Sequence, residues 1–356
     1  MRPHLPGLNA LRAIAAVVVV TVHVEMEKKD RGIPSALDAP ERWIPDHHLG
    51  VVLFFVLSGF LITWLLTREH EATGRVGLKS FYARRILRIW PVYYFVLFVS
   101  AALFPFKATW PTVVLCVGGM PNIAKALDIG WPTSPQIWSI GVEEQFYLLW
   151  PVVFLFIPRK RLVLATLLFF VGWTLLPFLV DKCHAGQPLD EGARRAWSIF
   201  FYGAKFNSLA LGCVMGYLFA TAHRSLRWLS NTPVAVGSAL LAFGLWFSGT
   251  ILPVLHDEVF TVLFALVVLN AATGRYPTFF DRGVFDFLGR ISYGIYMYHW
   301  IILLLIMPLV DRGIDRSRYD LLLGTAVLGV TILVAWSSHI GPERYFLGMK
   351  RRYAEA

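Results

Sequence analysis

An all-helical integral membrane bundle of about ten spans is the fold class this sequence predicts, and three observations predict it. Hydrophobic residues make up 56% of the 356-residue chain and charged residues only 16%, where a soluble domain carries about 25%. The apolar residues gather in runs, most of them near the ~20 residues that a helix needs to cross a bilayer. Lys and Arg concentrate in the short segments between alternate runs, as the positive-inside bias requires. That distribution explains the net charge of +10 without a nucleic-acid partner.

The first run, at about residues 8–24, has no small-residue cleavage motif and continues as an anchor, so no cleavable leader is expected. A polar stretch leads to a second helix at about 49–66. A basic segment follows, and then a third helix at about 89–104. Residues 110–120 are apolar but short and hold Pro111 and two glycines, which predicts an interfacial or re-entrant piece. Further spans are expected at about 136–157, 162–180, 199–220, 233–249, 254–272, 287–309 and 321–339. With the N-terminus inside, the inner segments carry the basic clusters at 68–88, 159–161, 224–227, 275–290 and 350–352. Ten spans with both termini cytoplasmic satisfy the bias at every inner segment. The expected organisation is one membrane domain, 1–345, and a short basic cytoplasmic tail, 346–356. Cys116, Cys183 and Cys213 form no CxxC or metal spacing and read as packing residues; no metal is expected.

Intramembrane polar residues carry the chemistry. Arg12 and His23 stand eleven residues apart on the first helix, about three turns plus about 20°, so both project from one face, about 16 Å apart. A cation and an imidazole at two depths suit an elongated anionic ligand whose reactive end lies at the imidazole. The bland alternatives are a snorkelling arginine and a histidine bonded to a neighbouring helix. Arg84 and Arg88 fall one turn apart with Arg85 beside them, as either an inside-facing anchor or a phosphate clamp. Glu143 and Glu144 lie about two turns into the fourth span, where ionised carboxylates facing lipid are strongly disfavoured. Glu143 is placed to orient an imidazole or hold a substrate hydroxyl, against the plainer reading of an ion pair. Lys205 and Asn207 are expected to line an outer cavity, and Lys205 could equally pair with a glutamate. In GRISYGIYMYHW, Tyr296 and His299 are candidates for substrate contact, while Gly289, Ser292 and Gly294 read as helix-packing residues. Ser58 and Gly59 read the same way.

Six ordered blocks, RAIAAVVVVTVH, FFVLSGFLI, FYARRILRIWPVYY, WSIGVEEQFYLLWP, NSLALG and GRISYGIYMYH, together resemble the membrane acyltransferase 3 family over nearly the whole chain. The resemblance implies a ten-helix enzyme of the stand-alone form, without an esterase-like domain. It implies an acyl group, usually acetyl, taken from cytoplasmic acetyl-coenzyme A (acyl-CoA) and delivered to a hydroxyl, commonly of an extracytoplasmic glycan. Carried over, His23 is catalytic, Arg12 belongs to the donor site, Arg84, Arg85 and Arg88 match the arginine block, and Glu143 matches the acidic block. The closing segment only loosely matches the family, so Glu343 receives no role.

The expected activity is therefore O-acyltransfer in the cytoplasmic (inner) membrane, onto an exopolysaccharide or lipopolysaccharide precursor. Acylation of a small metabolite such as a macrolide is the alternative within the family, and a transporter or flippase the alternative from another class. His23 acts either as general base or as the acyl carrier of a two-step transfer.

Overall fold

The computed structural model describes residues 5–38, 44–183, 191–310 and 320–349. Among these, every regular element is helical. In order they are α1 (Leu8–Asp30), α2 (His47–Thr73), α3 (Leu78–Leu103), α4 (Trp110–Val117), α5 (Pro121–Ala126), α6 (Trp138–Phe156), α7 (Arg159–Cys183), α8 (Glu191–Gly203), α9 (Phe206–Ala220), α10 (Leu226–Leu229), α11 (Thr232–Phe247), α12 (His256–Ala272), α13 (Gly283–Val310), α14 (Asp320–Ile340) and α15 (Pro342–Met349). Residues 311–319, between the last two expected spans, and the basic residues of the expected tail from 350 onward lie outside the described residues.

The chain forms two compact units. The first comprises Met1–Phe54, Ala83–Val96 and Arg227–Ala356; the second comprises Phe55–Tyr82 and Leu97–Leu226. In the first, α13 packs against α1 and α14, and α11 packs against α12. In the second, α7 packs on α9, and α5 lies against α4, α6 and α8.

Each expected run is helical, and several extend beyond their apolar core. Helix α1 continues to Asp30, and its polar last turns are held by side-chain pairs. Lys28 Nζ sits 2.8 Å from both Glu25 carboxylate oxygens, and Arg31 Nε sits 2.7 Å from Glu27. Helix α3 begins at Leu78, so Arg84, Arg85 and Arg88 lie on it rather than on a segment before it. The run at 110–120 becomes α4 and the start of α5, eight and six residues long and too short to span. Thr109 caps α4 by accepting from the Thr112 N–H. The expected sixth span is two helices, α8 and α9, broken at Ala204–Lys205. Gly203, a poor helix former, stands at the break, and the Asn207 side chain accepts from the Ser208 N–H just after it.

Among the described residues, seven helical segments are long and apolar enough to cross a bilayer: α1, α2, α3, α7, the joined α8–α9 segment, α13 and α14. The contacts of α13 add a constraint. Asn9 of α1 meets Asp286 and Gly289 of α13, and His23 meets His299 further along both helices. The two helices therefore run parallel. Two parallel spans of one chain need an odd number of crossings between them. Four of the seven segments intervene, and α11 is a further, shorter apolar helix between them.

Close helix contact is set by glycine in both units. A Cβ on Gly289 would lie 2.1 Å from the Asn9 carbonyl oxygen, which fixes α13 against α1. In the second unit the α2–α9 contact is glycine-built from both sides: a Cβ on Gly59 would fall 1.9 Å from Leu209 O, and one on Gly212 would fall 2.2 Å from Val56 O. Small residues let backbones approach where lipid offers no hydrophobic drive. Indole and amide bonds complete the packing. Trp150 Nε1 donates to Thr63 at 2.9 Å, and Gln145 and Asn122 exchange amide bonds of 2.8 and 3.2 Å between α6 and α5. Ser338 of α14 links Tyr298 of α13 to Glu343 of α15 at 2.8 and 2.7 Å, so Glu343 anchors the closing helix. Cys116 and Cys213 are buried free thiols, and nothing is described for the Cys183 side chain.

Gly212→Val replaces this backbone contact with a side chain that has no room. We expect a loss of about 1–3 kcal/mol, read as a lower Tm in detergent; a Tm equal to wild type would contradict the close α2–α9 contact.

Candidate active site

Helix α1 is unbroken from Leu8 to Asp30, so the eleven-residue spacing of Arg12 and His23 keeps its about 16 Å rise. Near its start, Arg12 Nη1 donates to Asn9 Oδ1 at 3.4 Å, and Asn9 Nδ2 donates to Asp286 Oδ1 at 2.8 Å. Asp286 also pairs with Arg290 one turn on, at 2.9 Å. Two guanidiniums are thus tied through one amide and one carboxylate across α1 and α13. Below them the Gly7 N–H donates to Asp281, with Gly7 in the left-handed region at φ 71°.

Eleven residues further on, the His23 ring is enclosed by three aromatic groups. Its Nδ1 lies 2.8 Å from His299 Nε2. The rings are inclined by only 11°, with centres 5.1 Å apart. That separation is the hydrogen-bond length plus one ring radius on each side, so the contact is edge to edge and the bond lies in both ring planes. His47 tilts against His23 with centres 5.0 Å apart, and Trp300 meets it edge-on at 5.2 Å. His299 is 1% exposed, and its Nδ1 lies 2.6 Å from the Tyr296 carbonyl oxygen. Tyr296 is buried with its ring against Phe54. His23 itself is half-buried.

The sequence candidates thus divide between the units. His23, His299 and Tyr296 come together in the first, with Arg12 at the other end of the same helix pair. Arg84, Arg85 and Arg88 lie on the part of α3 that belongs to that unit, with Arg88 exposed. Glu143, Glu144, Lys205 and Asn207 belong to the second unit. There Glu143 accepts from Ser58 Oγ at 2.9 Å and from Tyr147 OH at 3.0 Å, one hydroxyl to each carboxylate oxygen. Ser58, expected only to pack, is therefore a partner of that carboxylate. Glu144 is half-buried beside it in sequence. Lys205 and Asn207 are buried at 3% and 1% exposure where α8 gives way to α9. Asn207 Nδ2 donates to Thr174 Oγ1 at 3.1 Å. Irregular backbone of this kind inside a membrane segment is tolerated only within protein or along a cavity.

Two members of the His23 surround were missed in the sequence. His47 stood in a polar connection, and its neighbour His48 with Asp46 gave the only signal, a short His/Asp cluster directly before an apolar run. Trp300 follows His299 in the sequence, and no pattern there singled it out. Among the described residues, no group of three or more His, Cys, Asp or Glu is arranged to hold a metal ion.

Residues 5–339 match the family model described as an acyltransferase domain. Among curated proteins, the chain is 25% identical to a peptidoglycan O-acetyltransferase, OatA, of Listeria monocytogenes, covering 87% of this chain and 51% of that protein. It is 25% identical to a putative O-acetyltransferase of Staphylococcus aureus, covering 84% and 51%. A putative peptidoglycan O-acetyltransferase of Bacillus subtilis, YrhL, is likewise 25% identical, covering 87% and 50%. The chain spans about half the length of these relatives. No solved structure matches it.

Ser58→Ala and Tyr147→Phe each remove one hydroxyl donor from Glu143. Each should cost about 1–3 kcal/mol of stability, measured by thermal unfolding in detergent. Unchanged Tm in both variants would mean these bonds do not hold the carboxylate.

Proposed function

The chain belongs to the acyltransferase family whose domain model it matches over residues 5–339, and on that footing we propose that it transfers an acetyl group from acetyl-CoA to a hydroxyl of an extracytoplasmic cell-wall glycan. The observation that carries this reading is the His23–His299 pair on the α1–α13 contact, with Arg12 eleven residues below it on the same helix. The relatives' names supply the acceptor chemistry, a peptidoglycan hydroxyl.

In this reading α6, α11 and α12 all cross the bilayer. That gives the odd number of extra crossings the parallel α1–α13 pair needs, makes ten spans, and puts both termini in the cytoplasm. The whole bundle forms the acyltransferase domain, with the residues from 346 onward as a cytoplasmic tail of the inner-membrane protein. Arg12 then lies toward the cytoplasm and His23 toward the outer face. Coenzyme A is a long anionic head on a thin arm. Its phosphates suit the guanidiniums of Arg84, Arg85 and Arg88, and Arg12 stands further along the path of the arm. The thioester is carried to the imidazole.

In the one-step route His23 takes the acceptor hydroxyl's proton as the oxygen attacks the thioester carbonyl. The C–O bond forms, the C–S bond breaks, and His23 returns the proton to the leaving thiolate. In the two-step route the imidazole first takes the acetyl group and then yields it to the hydroxyl. Both use a lone pair on His23. In the second unit Glu143, held by Ser58 and Tyr147, serves as a fixed hydrogen-bond acceptor for a substrate hydroxyl, with Glu144, Lys205 and Asn207 as further polar contacts of that unit; in the first unit Tyr296 is the substrate contact beside His23.

The test is acetyl-CoA consumption by purified protein in detergent with a crude cell-wall glycan fraction. Wild type should consume the thioester only when the glycan is present, and His23→Ala should fall by at least about 100-fold, as loss of a general base does. Arg84→Ala and Arg88→Ala should raise the KM for acetyl-CoA and leave acceptor preference unchanged. Full turnover by His23→Ala would remove the catalytic assignment, and an unchanged donor KM would remove the phosphate clamp.

A further inference from the structure

We propose that His299 is a positioning residue that selects the tautomer of His23 and so makes Nε2 its reactive atom. The inference rests on His23 being the group that takes the acceptor's proton or the acetyl group. It follows from two bonds at opposite edges of one buried ring.

His299 Nδ1 lies 2.6 Å from the Tyr296 carbonyl oxygen. A carbonyl oxygen only accepts, so Nδ1 carries the hydrogen. In a neutral imidazole the other nitrogen is then a bare acceptor. That nitrogen, His299 Nε2, is 2.8 Å from His23 Nδ1, in the plane of both rings. The bond forms only if His23 donates. His23 therefore carries its hydrogen on Nδ1, and its lone pair is on Nε2, at the opposite edge of a half-buried ring. The order of donation is fixed by a backbone carbonyl of α13, which cannot change its role.

Both nitrogens of His299 are engaged by protein atoms and the residue is 1% exposed. The substrate contact expected for it from the sequence is replaced here by an action through His23. His47 and Trp300, on the faces and edge of the His23 ring, keep it from swinging out of the bond. When His23 Nε2 takes up a proton, the ring becomes an imidazolium whose Nδ1–H still points at a lone pair, so the new charge is met by an acceptor already in place. The same bond orders the ring in the two-step route, where Nε2 forms the N–C bond to the acetyl carbon as the C–S bond breaks.

Three variants separate this role from packing. His299→Ala removes the acceptor. His299→Asn keeps an amide near the Nδ1 position but reaches no further. His299→Gln carries its amide oxygen to the Nε2 position and can accept from His23. A partner that orients a metal-bound imidazole commonly contributes about 10–100-fold, and the same range is expected for one that orients a reacting imidazole. We expect kcat to fall by that factor in the Ala and Asn variants with the KM for acetyl-CoA unchanged, and the Gln variant to recover most of it. A second readout needs no turnover: nitrogen NMR of 15N-histidine-labelled protein in micelles, with His23 assigned by its loss in His23→Ala. Wild type should show His23 protonated at Nδ1 and bare at Nε2, and His299→Ala should lose that preference. A wild-type His23 protonated at Nε2, or wild-type kcat in His299→Ala, would overturn the assignment. If the spectrum carried the Nδ1–H form and the wild type transferred no acetyl group to any glycan, the acyltransfer reading would fall while the bond assignment stood.

Discussion

The parallel contact between α1 and α13 is the constraint on which the candidate site depends. Glycine at 289 brings the two backbones together at one end, where a Cβ would collide with the Asn9 carbonyl. The Asn9–Asp286 bond locks the register there, and the His23–His299 bond reports it at the other end. A shift of one residue on either helix would turn the partner by about 100° and break both bonds. The spacing from Arg12 to His23 is thus meaningful because a second helix holds each end to its own polar partner.

Polar groups are costly in a bilayer, and this chain meets the cost in a consistent way. Each intramembrane titratable group whose partners are described above is bonded by a neighbour on another helix or one turn away. Glu143 takes hydroxyls from α2 and from its own helix. His299 is satisfied at both nitrogens. Such closure fixes side chains before any ligand arrives, which is what a transfer reaction needs from its surroundings. It also explains why helices here pack through glycine: a short interhelical distance is required for these short polar bonds to form.

The helical class, the membrane character and the positions of most spans were legible in the sequence, because each follows from composition and from runs of apolar residues. Arg12 and His23 were legible as a pair because regular helix geometry turns a spacing into a shared face. The partnership of His299 with His23 was not, since it joins residues 276 positions apart and no periodicity encodes which two helices touch. His47 was hidden by its place in a polar connection that in fact begins α2. The break between α8 and α9 was read as one continuous span because both halves are helical and Gly203 alone is a weak signal. The arginines 84, 85 and 88 were assigned their side of the membrane by charge bias, a rule about loops, yet they lie on a continuous helix whose apolar part begins only after them.

In the proposed function an acetyl group moves from a donor on one face of the membrane to a glycan on the other through the α1 imidazole. The most direct measurement uses sealed inverted membrane vesicles, with radiolabelled acetyl-CoA added only to the exposed cytoplasmic face and the cell-wall glycan precursor enclosed in the lumen. Label is expected on the luminal glycan with wild-type protein and not with His23→Ala. Label that stays outside, or reaches the lumen equally well without His23, would contradict it.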